Sequence, residues 1–344
     1  MVTKSGYQKS MNNKTYKTGL VIGKFYPFHL GHQFLLETAI KQCQRLTVIV
    51  CQTDRYQIPV EIRAKWIRNT FPDANVRIFH HDPEMDSDSV NVSEKWAEIT
   101  VRFLKFIPVA VFSSESYGEP YARYMGSKHV LVDLNRKRVT ISGTRIRNDL
   151  KNNWNYLTPE SKAYFAKRIV IVGAESTGTT TLTQDLARQY KTAWVPEYGR
   201  AYYEGKMTSP TLNNWQTSEF VHIASIQNQI ENSLSKHANK VVFCDTNAFA
   251  TEIWHERYVG FMSNAVKKVS QKALVDLYIV TDTDIPFVQD GTRDGQHQRQ
   301  HMHNRFIEEL NKRKLPYIVV SGPRKNRLKQ AMSLIDPLLS SWKV

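Results

Sequence analysis

The chain of 344 residues is 41% hydrophobic and 23% charged, enough apolar material for about two domains at roughly 150 residues each. Its net charge of +15 suits polyanionic partners such as nucleotides, nucleic acid or acidic membranes. Cys43, Cys51 and Cys244 form no CxxC pair, which argues against a disulfide framework and a cysteine-type zinc site. No apolar run approaches the roughly 18 residues of a membrane span, and the polar start lacks a secretory signal. A cytoplasmic location without membrane contact is expected.

Residues 1–17 carry almost no apolar periodicity and read as a mobile tail. Short apolar, β-branched runs at 18–23, 45–51, 76–79, 109–113 and 129–132 read as strands, and 138–141 is strand-like as well. Helical patterns at 30–42, 62–70 and 92–105 separate them. Residues 148–167 are polar and aromatic, and Thr158-Pro159-Glu160 reads as a helix start with a cap, a proline and an acid. The alternation then restarts with strands at 168–172, 240–245, 277–282 and 316–321 and a helix at 180–190. Alternating strands and helices predict parallel sheets covered on both faces. The expected order is a tail (1–17), a Rossmann-like α/β domain (18–150), a linker or helix (151–167) and a second α/β domain (168–344). Residues 1–167 carry +10 of the net charge and the rest +5, so the excess is not one basic arm, and nucleic acid is not an expected partner.

Gly23-Lys24-Phe25-Tyr26-Pro27-Phe28-His29-Leu30-Gly31-His32 lies where a strand gives way to a helix, the edge at which parallel sheets bind ligands. Gly31 and the free N–H groups of the helix start suit close approach to a polyphosphate. His29 and His32, three apart, can donate to phosphate oxygens; alone, an HxxH is as readily coincidence, or half of a metal site. Downstream, Ile141-Ser142-Gly143-Thr144-Arg145-Ile146-Arg147 puts hydroxyls and two guanidiniums within a few residues, as phosphate binding requires; a basic surface turn is the plainer reading.

In the second half, an apolar strand enters Gly173-Ala174-Glu175-Ser176-Thr177-Gly178-Thr179-Thr180-Thr181, followed by a helix. This is the register of GxxxxGK[ST], a loop whose backbone cradles phosphates. Thr180 stands at the Mg²⁺-binding hydroxyl, but Thr179 replaces the lysine, so a tight turn without a ligand stays open. Asp245 ends an apolar strand, where an acid could hold Mg²⁺ or accept a hydroxyl proton. Arg293, Arg299 and Arg305 mark a lid over phosphates, and one of them could supply the lost charge. His297, His301 and His303 read as an exposed lid helix ahead of a metal site.

The first two motifs together resemble the nucleotidyltransferase superfamily, with its HxGH loop and ISxTxxR stretch. An adenylyltransferase followed by a P-loop kinase-like domain is similar to the NadR-type proteins of bacterial NAD synthesis, from about Thr18 onward. The resemblance implies transfer of AMP from ATP to nicotinamide mononucleotide, giving NAD and pyrophosphate, and phosphorylation of nicotinamide riboside by ATP, with Mg²⁺. It implies that His29, His32 and Arg147 act on ATP together with Gly23, Lys24, Phe25, Ser142, Thr144 and Arg145. Ser113, Ser114, Glu115 and Trp96 would lie near the mononucleotide. In the second domain the loop from Gly173 to Thr181, with Arg293 and Arg299, would hold ATP; Glu197, Tyr198 and Arg200 would line the riboside pocket, and Asp245 would act on its primary hydroxyl. Some members carry an N-terminal helix-turn-helix; the 17 polar residues ahead of the first strand are too few for one. Two alternatives remain: an adenylyltransferase whose P-loop domain only senses nucleotides, and a nucleotide-responsive DNA-binding regulator. Homo-oligomerisation is left open.

Overall fold

A computed structural model describes residues 14–86, 90–207, 214–289 and 296–340. They fall into two compact units, one running to Ser161 and the other starting at Lys162. Most of the residues 1–17 read as a tail, and Arg293, lie outside the described residues.

The first unit holds a five-stranded sheet of β1 (Tyr16–Gly23), β2 (Cys43–Gln52), β3 (Asn75–His80), β4 (Ala110–Ser113) and β5 (Lys128–Leu131), in the order β3-β2-β1-β4-β5. Every pairing is parallel. Helices α1 (Leu30–Gln42), α2 (Val60–Thr70), α3 (Val90–Leu104) and α4 (Gly118–Met125) connect the strands. The central strands are mainly apolar because both their faces are covered: Leu20, Val48, Ile49, Val50 and Val111 are all buried. The short α5 (Gly143–Asn148) follows β5 after a loop, and α6 (Pro159–Phe165) begins at the unit's end.

Residues 138–141 form no strand. The carboxylate of Asp133 accepts hydrogen bonds from the N–H groups of Lys137, Arg138 and Val139 at 2.8–3.1 Å. Those groups are thereby taken out of any sheet ladder, and the chain curls instead.

The second unit has its own parallel sheet of β6 (Lys167–Gly173), β7 (Trp194–Val195), β8 (Val241–Asp245), β9 (Leu277–Thr281) and β10 (Tyr317–Val320), ordered β10-β9-β6-β8-β7. Around it lie α7 (Thr179–Tyr190), α8 (Tyr198–Lys206), α9 (Thr217–Ser235), α10 (Ala248–Val259), α11 (Asn264–Ser270), α12 (Arg299–Lys312) and α13 (Arg324–Ser340). Ile169, Ile171, Leu186, Phe243, Ile279 and Ile335 build the core on one face. The central strands β1 and β6 thus each deliver a loop to the carboxyl edge of a parallel sheet.

The three cysteines are free and buried. Among the described residues no helix is long and apolar enough to cross a membrane, and no cluster of His, Cys, Asp and Glu is built to hold a metal by itself. The helix carrying two of the three lid histidines is amphipathic, not wholly exposed: His303 is buried beside Met302 and Phe306, while His301 faces out.

Candidate active sites

In the first unit His29 caps α1. Its backbone is extended and its Nδ1 accepts from the N–H groups of Gly31 and His32, at 3.1 and 3.3 Å. With Nδ1 committed as an acceptor, Nε2 carries the proton of the neutral ring and remains available as a donor. The His29 and His32 rings stack with centroids 3.7 Å apart. Burial drives the His29 pKa well down, helped by the charges of His32, Arg136 and Arg147. Burial likewise takes His32 to about 3, against a hydrogen bond that its ring donates to the Pro27 carbonyl, which raises it. Both rings are therefore neutral hydrogen-bond donors at physiological pH. Gly31 gives His29 its room: a Cβ there would stand 3.0 Å from the imidazole, a contact the ring would have to yield to, and 3.7 Å from Ile141 Cγ2.

The second motif docks on the first. Ser142 caps α5, accepting from Arg145 N at 3.2 Å. Arg147 donates to the Tyr26 carbonyl at 2.6 Å and to Thr144 Oγ1 at 3.0 Å, with its guanidinium 5.0 Å from the Tyr26 ring. Gly143 passes so close that an added Cβ would lie 2.7 Å from the same Tyr26 oxygen. Residues 157–161 support the loop from another side: Ser161 Oγ and Thr158 Oγ1 both donate to the Phe28 carbonyl, at 2.7 and 3.3 Å.

A cleft of about 460 Å³ opens over this junction. Gly23, Lys24, Phe25, His29, His32, Ser142, Thr144 and Arg147 line it, together with Trp96, Ser113, Ser114 and Glu115. Arg145 does not join them; its guanidinium donates to Thr140 O at 3.4 Å and borders a separate groove with Asn148 and Asn152. Trp96 has two jobs: it packs against Phe79 and His81, donates to Met85 O at 2.8 Å, and exposes an edge to the cleft. Ser113 pairs with His129 Nε2 at 2.9 Å, and Glu115 with Arg136 at 2.9 Å.

Two supports escape sequence reasoning. Arg63, on α2 and fully buried, donates to the carbonyls of Lys24, Cys51 and Ile58 and to the Gln52 amide oxygen. It clamps the turn in which Phe25 adopts φ 47. Arg136, which also lines the cleft, lies in the loop after β5, outside both motifs.

In the second unit a cleft of about 270 Å³ is lined by Gly173, Glu175, Ser176, Gly178, Thr179, Thr180 and Thr181, and by Glu197 and Arg200. Its far wall is aromatic: Tyr203, Trp215, Phe220, Trp254 and Tyr258. The Tyr203 and Trp215 rings are nearly parallel, 6.2 Å apart. Thr177 turns inward to Ala174 O and Thr281 Oγ1, at 2.6 and 2.7 Å. Asp245, 2% exposed, accepts from Thr180 Oγ1 at 2.5 Å, and its Oδ1 is buried with no partner. Burial raises its pKa against the Thr180 and Thr179 hydroxyls. Glu197 is pushed up to about 8, by burial first and then by the Asp245 charge.

Tyr198 turns to His222, with its hydroxyl 3.2 Å from Nε2. Arg200 pairs with Glu204 at 3.1 Å. The arginines expected to cover phosphates are held in place: Arg299 donates to Ile285 O at 2.9 Å and Ser176 O at 3.4 Å, and Arg305 to Glu256 at 2.8 Å. Glu175 of the loop is bound by Arg257 at 3.1 Å.

Two parallel-sheet units, one carrying HxGH and ISxTxxR segments that meet and the other a P-loop, define a tandem of a nucleotidyltransferase-like and a P-loop domain. Residues 18–90 match the model described as the citrate lyase ligase C-terminal domain, and 168–327 that of an AAA domain. The chain is 29% identical over 321 residues, 88% of its length and 78% of theirs, to the trifunctional NAD biosynthesis/regulator protein NadR of Escherichia coli (strain K12) and of Salmonella typhimurium (strain LT2). The fold is shared with a NadR protein solved with NAD and AMP-PNP (TM-score 0.69, 19% identity, 96% of this chain and 98% of that one). A NadR protein solved with NR gives a TM-score of 0.71 at 18% identity with the same coverage. The likeness to the NadR-type proteins read from the motifs is thereby borne out along most of the chain.

Proposed function

We propose that the first unit transfers the adenylyl group of ATP to nicotinamide mononucleotide, and that the second phosphorylates nicotinamide riboside with ATP. One observation carries the first activity: the HxGH loop and the Ser142–Arg147 turn close on one another at Tyr26 and share a cleft. The mononucleotide phosphate attacks the α-phosphorus of ATP and pyrophosphate leaves, with no covalent enzyme intermediate. His29 and His32 donate to the phosphoryl oxygens where charge develops, Lys24 and Arg147 offset that charge, and Ser142 and Thr144 hold the outgoing phosphates.

The aromatic wall of the second cleft favours a riboside whose base is a cationic pyridinium ring, because aromatic faces attract such rings. Glu197 and Arg200 offer polar contacts to the ribose. Oxygen donors suit Mg²⁺, and the unpaired Asp245 Oδ1 beside Thr180 Oγ1 fits a hard cation directly or through its water. Mg²⁺ bound there would neutralise ATP phosphate charge.

The test is product analysis with Mg-ATP and, separately, nicotinamide mononucleotide, its deamidated form and nicotinamide riboside. NAD with pyrophosphate from the mononucleotide supports the first activity, and mononucleotide with ADP from the riboside the second. ATP binding with no riboside product would instead favour a nucleotide sensor in the second unit.

A further inference from the structure

The second unit has two carboxylates in reach of its chemistry, and the structure separates their tasks. Asp245 ends β8 beneath the phosphate loop. Its Oδ2 is occupied by Thr180, its buried and unpartnered Oδ1 is the oxygen left for Mg²⁺, and the residue is not part of the cleft lining. A base must come within about 2.6–3.2 Å of the hydroxyl it deprotonates, and a substrate in this cleft meets Thr180 before it meets Asp245.

Glu197 is placed otherwise. It precedes α8 with extended backbone (φ −68, ψ 110), and its side chain makes no capping bond to that helix. None of the described residues donates a hydrogen bond to its carboxylate, yet it borders the cleft shared by Thr179, Thr180 and the aromatic residues Tyr203 and Trp215. An uncommitted carboxylate facing both the phosphate loop and the riboside wall is positioned for proton transfer.

We infer that Glu197, not Asp245, is the catalytic base of the second unit. The primary hydroxyl oxygen of the riboside bonds to the γ-phosphorus of ATP, the bond from that phosphorus to the β,γ-bridging oxygen breaks, and ADP departs with those electrons. The hydroxyl proton passes to a Glu197 carboxylate oxygen and from there to water. Asp245 keeps Thr180 in place beside the phosphates.

This inference rests on the kinase half of the proposed function, and the experiment tells the two apart. Riboside phosphorylation is measured in the full chain for wild type, Glu197→Gln and Glu197→Asp, with riboside affinity by calorimetry. Glu197→Gln is expected to bind riboside within threefold of wild type and to lose about 10²–10⁴ in kcat, with Glu197→Asp recovering part of it. A kcat within tenfold of wild type in Glu197→Gln overturns the assignment, as does an Asp variant no faster than Gln. Loss of riboside binding in both variants also overturns it, since Glu197 would then serve binding or folding. A wild-type chain that forms no mononucleotide sinks the kinase reading and this inference with it.

Discussion

His29 and His32 stack at 3.7 Å, so two imidazoliums there would repel in a site that already holds Arg136 and Arg147. Neutral rings give donors without that repulsion. His32→Ala removes one donor to the transferring phosphoryl group and is expected to lower adenylyl transfer by about 10²–10³. The cooperative unfolding transition should survive; near-normal turnover in a folded variant refutes the role. A pH consequence follows from the same burial. His32 titrates near 3 in the folded chain against an ordinary value of 6.5. Between these values the unfolded chain binds more protons, so the contribution of the buried neutral ring is complete above about pH 6.5 and is lost as pH falls toward 3. Wild-type stability should therefore drop by up to about 1.4 kcal/mol per pH unit below 6 on account of this ring. Urea midpoints of His32→Ala should fall less steeply over pH 6 to 4; parallel curves would show that His32 is not buried neutral.

At the scale of elements, the first site exists because α5 lies against the β1–α1 loop with almost no clearance. Gly143→Ala places a methyl 2.7 Å from the Tyr26 carbonyl oxygen, and backbone cannot yield as a flexible side-chain end can. The variant is expected to lose most adenylyl transfer while riboside phosphorylation stays at the wild-type level; equal loss of both would mean global damage. Arg63→Met goes further, leaving the carbonyls of Lys24, Cys51 and Ile58 without their donor. At roughly 1–3 kcal/mol for each buried group left unsatisfied, a loss of at least about 3 kcal/mol is expected from denaturant unfolding of this unit. The contrast between these two positions shows what the sequence makes legible. Strands such as 168–172 and the helix at 30–42 stand out because buried parallel strands are continuous apolar runs and the helical pattern follows directly on the HxGH loop. Gly143 and Arg147 stand out because their motif is contiguous. Arg63 reads as one more polar position on an amphipathic helix, and only tertiary contact turns it inward. The 138–141 run has the residues of a strand, yet one carboxylate, Asp133, takes the N–H groups of Arg138 and Val139. The aromatic wall gathers Tyr203, Trp215, Phe220, Trp254 and Tyr258 from three helices and a loop, and no local pattern announces it.

At the scale of the whole molecule, the boundary between the units bears on the first activity. A split at residue 150 follows the composition, but the contacts place 151–161 with the first unit. Trp154 and Leu157 are 2% and 1% exposed, and Leu157 bridges to His29 across the backbone. Thr158 and Ser161 hold the Phe28 carbonyl immediately before that histidine. Deleting these residues removes two large buried side chains, about 1.5–3 kcal/mol each, together with the hydrogen bonds that fix the turn into His29. A fragment ending at residue 166 is therefore expected to fold and to retain adenylyl transfer within a fewfold of the full chain. A fragment ending at residue 150 should unfold at lower denaturant and lose the activity even where helix and strand content persist. Circular dichroism melts and NAD formation from the two fragments, side by side, decide the matter. Equal activity in both would mean that the HxGH turn is held by α5 and Arg63 alone, and that residues 151–161 only join one unit to the next.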